Sequence, residues 1–143
     1  MEKTQLLSYP RLEVYFHPKP KIIELVWNGY VEVNDYIAWL EDVFVHIQQL
    51  GAIGLLTDHR MRKVIKPEAS KWLAESYYPR LLAYRPSFRT GVLEAADIFA
   101  KMVADRFVKE ADERYASSVS IRIFSHYDEA VSWLSDKNSS PIP

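Results

Sequence analysis

The sequence predicts a single α/β domain with the element order β-β-α-β-α-β-α-β-α, about five strands and four helices. Three observations carry that expectation. A hairpin pattern opens the chain, strand-like and helix-like periodicities then alternate to the end, and one short central run is apolar at every position. In the hairpin, Leu12, Val14 and Phe16 alternate with Glu13 and Tyr15, and Pro18-Lys19-Pro20 turns the chain into a second run, Ile22 to Trp27. Gly29 then punctuates the chain.

Asn34 is placed as the N-cap of a first helix whose Ile37, Leu40, Phe44 and Ile47 recur at spacings of three and four, with Gly51 as its stop. Ile53-Gly54-Leu55-Leu56-Thr57 follows as the strand covered on both faces, which makes it central. Pro67 suits a first helical turn, and Ala69, Trp72, Leu73 and Tyr77 mark the inward face of the second helix, which Pro79 kinks or ends. Phe88 to Leu93 makes a fourth strand. It leads into an amphipathic helix with Phe99, Met102, Val103 and Phe107 inward and Asp97 at its positive end. Val119, Ile121 and Ile123 alternate with Ser120 and Arg122 in the last strand. Ser125 and Asp128 then form a capping box for a closing helix that faces Tyr127, Ala130, Val131 and Leu134 inward. Crossover helices make the later strands parallel. The domain is expected over residues 9–135, with a flexible segment at 1–8 and a disordered tail at 136–143.

The whole chain has 143 residues, 48% of them hydrophobic and 26% charged, with a net charge of -1. A domain of that size buries roughly two-thirds of its unfolded surface and needs no metal or disulfide to hold a core. It has no cysteine, which removes disulfides, thiolate metal sites and a cysteine nucleophile, and suits a reducing, cytoplasmic setting. Near-neutral charge speaks against nucleic-acid binding. No apolar run approaches the ~20 residues of a membrane-spanning helix, so no membrane insertion is expected. No two histidines stand at metal-ligand spacing, and no cofactor or metal is implied.

The opening hairpin, Trp27-Asn28-Gly29-Tyr30 before the first helix, Leu55-Leu56-Thr57-Asp58 ending a central strand, Trp72, and Ala130-Val131-Ser132-Trp133-Leu134 together resemble the SpoIIAA-like family of STAS-type domains. The resemblance covers about residues 11 to 135. It implies a STAS-like fold with helices chiefly on one face of a mixed sheet, and for most members no enzyme activity. Better-known relatives bind a kinase partner and are switched by phosphorylation of a serine at a helix start. The matching region here, Asp58-His59-Arg60-Met61-Arg62-Lys63, has no serine, and the phospho-switch is not carried over. A looser relation of this fold to Sec14-type lipid carriers motivates a lipid-type carrier as one alternative.

Asp58 and His59 stand at the predicted C-terminal end of a central strand, where ligands collect in open α/β sheets. Arg60, Arg62, Lys63 and Lys66 form a basic loop before a helix N-terminus, a place for a phosphate or carboxylate, or simply a solvated face. Glu94 ends the next strand and joins Asp58 only if those strands are neighbours. The leading expectation is a non-enzymatic binding or protein-interaction domain with a small anionic or apolar ligand near Asp58, His59, Arg60, Arg62, Lys63 and Glu94. An enzyme alternative is a small hydrolase or isomerase using Asp58, His59 and Glu94. Glu13, Glu24, Ser120 and Arg122 share a polar phase with aromatic neighbours, which suits a homodimer or another protein partner.

Overall fold

The computed structural model describes residues 2–115 and 121–136. The expectations for Val119, Ser120 and the 137–143 tail lie outside the described residues. Two antiparallel hairpins open the chain, formed by β1 (Thr4–Tyr9), β2 (Leu12–His17) and β3 (Ile22–Gly29). Three parallel strands follow, β4 (Gly54–Arg62), β5 (Arg89–Leu93) and β6 (Ile121–Phe124). Among the described residues they form one six-stranded sheet in simple chain order.

The crossovers are α1 (Val33–Leu50), a second helical stretch, and α4 (Ile98–Tyr115). The second stretch consists of α2 (Pro67–Trp72), a π-helical turn (Leu73–Tyr77) and α3 (Tyr78–Tyr84). Because the sheet grows in one direction through crossovers of one hand, these helices fall on one face. Closing helix α5 (Tyr127–Ser135) covers the other. Strand alternation sorts the side chains accordingly. Ile23, Leu25 and Trp27 of β3 join Leu55 and the helices in the main core. Ile22, Leu56 and Leu93 meet Ala130, Val131 and Leu134 of α5. Gly54 makes that second contact close, since a Cβ there would stand 2.8 Å from the Arg89 carbonyl oxygen and 3.2 Å from Leu134.

Several expectations need correction. The segment expected to be flexible, residues 1–8, contributes most of β1, whose Leu7 and Tyr9 pack on the core; Tyr9 stacks on Trp39 with ring centroids 4.9 Å apart. The sheet therefore has six strands rather than five. β1 was hidden because only two adjacent apolar residues, Leu6 and Leu7, announce it. Helix α1 is preceded by Glu32, not Asn34, at its N-cap, and α5 by His126, not Ser125; neither cap makes a side-chain bond. The Ser125 hydroxyl donates to Glu94 instead, at 3.1 Å.

Pro79 does not end its helix. It sits in the first turn of α3, just after the π turn, where the widened backbone accepts a residue that has no N–H to donate. Phe99 and Met102 point outward at 66% and 54% exposure, while Val103 and Phe107 pack inward. Gly51, at φ 64°, ends α1 as expected, and Asp97 accepts from the backbone of Phe99 and Ala100 at the start of α4.

Candidate functional site

Between the sheet and the crossover helices lies a cavity of about 80 Å³. Leu25, Leu55 and Val92 form its floor, and Leu40, Leu81 and Phe107 part of its roof. His59, Arg62 and Thr90 also line it, with Thr57, Ser70 and Tyr36, among mainly apolar side chains. His59 Nδ1, Arg62 Nε and Thr90 Oγ1 are buried without a hydrogen-bond partner. Thr57, by contrast, is satisfied: Trp27 Nε1 donates to its hydroxyl at 2.9 Å.

A break in strand register brings His59 and Arg62 to one face. From Val26 to Asn28, β3 advances two residues while β4 advances three, from Asp58 to Met61. That extra residue is a β-bulge, and it flips the alternation so that Arg62 returns to the side His59 occupies. Arg62 is 4% exposed, and no ion pair to a carboxylate serves it among the described residues. Burial lowers its pKa, and the neighbouring Tyr36 hydroxyl offsets part of that effect. The same burial, followed by the Arg62 charge, holds the His59 imidazole well below its usual value. His59 is therefore a neutral imidazole next to a buried cation.

The remaining sequence-derived candidates go elsewhere. Asp58 points to the α5 side, where Arg60 clamps it with Nε to Oδ1 at 3.0 Å and Nη2 to Oδ2 at 2.8 Å. Lys63 pairs with Asp97 at 3.7 Å and Lys66 with Glu32 at 3.9 Å. Glu94 binds Lys101 at 3.0 Å and Ser125, and those bonds hold its carboxyl below the usual range. The expected basic loop is thus corrected: β4 runs on through Arg62, and alternation scatters its cations between faces. A hydrolase or isomerase built on Asp58, His59 and Glu94 is corrected too, since Asp58 and His59 serve opposite faces of the sheet. A lipid-type carrier needs an enclosed cavity of several hundred Å³ on the order of other ligand pockets. The cavity here, at about 80 Å³, does not enclose a lipid.

A second polar group escaped the sequence. On the α5 face, His17 ends β2 fully buried. Its Nε2 meets Glu24 Oε1 at 2.7 Å, and the Tyr127 hydroxyl donates to the same oxygen at 2.7 Å. Lys3 stands 3.6 Å from Glu24 Oε2. The strand phase of Glu24 was legible, but its partners lie 7 and 103 residues away. Among the described residues, no group of three or more acidic or histidine side chains is placed to hold a metal ion.

The fold matches a known architecture. An uncharacterised protein of the DUF3478 family from Shewanella loihica superposes with a TM-score of 0.54, covering 90% of this chain and 98% of that one. Its structure is described as SpoIIAA-like. This chain has a SpoIIAA-like fold. At 13% identity the likeness concerns architecture, not the cavity's residues. No protein-family model matches the chain, and no curated protein matches it. Within the SpoIIAA-like fold, the cavity lies under the crossover helices. The Arg60–Asp58 pair stands on the opposite side, beside the Glu24 network. No described helix is long and apolar enough to cross a membrane.

Proposed function

We propose that this SpoIIAA-like domain is a non-enzymatic binding domain that takes a small organic anion with an apolar body into the cavity beside Arg62. The observation that carries this reading is a guanidinium 4% exposed, held beside the Tyr36 hydroxyl and the Trp27 ring, with its Nε unbonded and no carboxylate paired to it among the described residues. A buried charge without a counter-charge costs several kcal/mol by order of magnitude. An anion from outside the chain removes that cost, and the neutral His59 offers a further hydrogen-bonding nitrogen. A groove of about 270 Å³ between α2 and α4 supplies the approach. It shares Ile65, Ser70, Val103 and Phe107 with the cavity.

A ligand that binds only the folded state raises the unfolding temperature. Hexanoate is expected to raise it in proportion to the logarithm of its concentration, and hexanamide, its uncharged counterpart, to leave it unchanged. Equal shifts from both compounds would contradict the reading.

A second observation supports a protein contact. Met61, Ile98, Phe99 and Met102 are 68%, 65%, 66% and 54% exposed. Met61 stands near the end of β4 and the other three in the first turns of α4, and the two elements are joined by the Ala96 amide on the Arg60 carbonyl and by Lys63 on Asp97. Clustered exposed apolar side chains mark interaction surfaces. The reading gives this patch to a second copy of the chain.

A further inference from the structure

The bulge in β4 sets His59 and Arg62 in one cavity wall, and each keeps a buried nitrogen unbonded, Nδ1 of the imidazole and Nε of the guanidinium. Two effects hold the imidazole uncharged, burial first and the Arg62 charge second. An anion on Arg62 cancels the second effect and adds an attraction of opposite sign. The ring that burial and repulsion together kept neutral then has a reason to charge.

Hydrogen bonding points the same way. A neutral imidazole has one N–H, and Nδ1 carries it in only one of the two tautomers, whereas an imidazolium donates from both nitrogens. Protonation therefore secures the donor that an anionic head needs at Nδ1, and it makes that bond charge-assisted.

Among the described lining residues, no other group competes for the proton. Arg62 is already charged. Tyr36 of α1 and Tyr77 and Tyr78 of the second helical stretch present phenols, and burial keeps those of Tyr36 and Tyr77 protonated. The linings from β3, β5, α4 and β6 do not titrate. Asp58 serves the other face with Arg60, and Lys71, Glu75, Arg106 and Glu110 line the outer groove rather than the cavity.

We infer that the cavity takes up an anion and a proton together: His59 gains a proton from solvent as the anion arrives, and the imidazolium donates from Nδ1 to the head that Arg62 also holds. No bond of the ligand changes. By reciprocity, the anion raises the proton affinity of His59 by the factor by which the proton tightens the anion. The inference rests on the anion reading above and goes further by making binding depend on pH through one named group.

The test uses the purified full chain with hexanoate as the probe. Histidine ring resonances followed by NMR against pH are expected to show one titration midpoint that rises by at least about one pH unit at saturating hexanoate. The midpoints of His17, His46 and His126, none of which lines the cavity, are expected to stay in place. Calorimetric dissociation constants are expected to tighten from about pH 8 to about pH 6, by at most about tenfold per pH unit. His59→Gln, whose amide gains no proton, is expected to show no tightening over the same range. A tightening kept in that variant would place the proton elsewhere and overturn the inference, and the resonances of the unaltered protein decide the matter if the variant does not fold. Saturable binding with every midpoint unmoved would overturn proton uptake while leaving the anion reading standing. No binding of hexanoate at any pH would overturn both.

Discussion

His59 and Arg62 face one cavity from a single strand although three residues separate them, because a bulge in β4 after Asp58 restores their phase. Regular alternation would have sent Arg62 to the α5 side, where Asp58 and Arg60 lie. The bulge instead places it in the cavity wall beside the Tyr36 hydroxyl and the Trp27 ring, with no carboxylate paired to it among the described residues, the arrangement on which the proposed anion binding rests. Local features that work against stability mark functional sites.

Replacing Arg62 by methionine is therefore expected to leave stability unchanged or to raise it by about 1–4 kcal/mol, since an apolar side chain of similar length removes a poorly compensated buried charge. Chemical denaturation measures this. A loss of several kcal/mol would show that Arg62 serves the core rather than a ligand.

The neutral state of His59 makes stability depend on pH. Its pKa in the folded chain lies below the usual value, so between the two the unfolded chain binds the extra proton. The contribution is complete above about pH 6.5 and is lost as pH falls below it, by at most about 1.4 kcal/mol per pH unit. His59→Phe is expected to flatten this part of the curve between pH 7 and 5. Identical pH slopes in the two proteins would count against a buried neutral imidazole.

On the other face, the Tyr127 hydroxyl holds α5 to the sheet through Glu24. Tyr127→Phe deletes a hydrogen bond to a buried carboxylate and is expected to cost about 1–3 kcal/mol. Urea titration reads the loss, and hexanoate affinity is expected to stay the same because the network lies across the sheet from the cavity. A change in affinity without a change in stability would contradict that separation.

Much of the fold was legible because burial follows periodicity. The all-apolar run Leu55-Leu56 marked a central strand, Gly51 marked the end of α1, and Tyr127, Ala130, Val131 and Leu134 marked the inner face of α5. What failed depended on contacts distant in sequence. Thr4–Tyr9 has weak local strand character and becomes β1 because β2 offers a partner. Pro79 reads as a breaker until the π turn before it is known. His59 and Arg62 were legible as candidates, but their common face depends on one extra residue in a register, which a composition or a period does not display. The His17–Glu24 contact joins neighbouring strands and shows in neither residue's local pattern.

If the patch of Met61, Ile98, Phe99 and Met102 seats a second copy, light scattering is expected to show a concentration-dependent dimer. Phe99→Glu would then shift the population to monomer without changing the unfolding transition of the monomer, since the side chain is 66% exposed. A monomer at every concentration, in the unaltered protein, would remove this role for the patch.

The central claim is that Arg62 awaits an anionic ligand, and the most direct measurement is the dissociation constant of hexanoate for the unaltered protein and for Arg62→Met under identical conditions. The account predicts saturable one-to-one binding to the unaltered protein and at least about a tenfold weaker constant for the variant, equivalent to about 1.4 kcal/mol. Equal affinity in two equally folded proteins would contradict it.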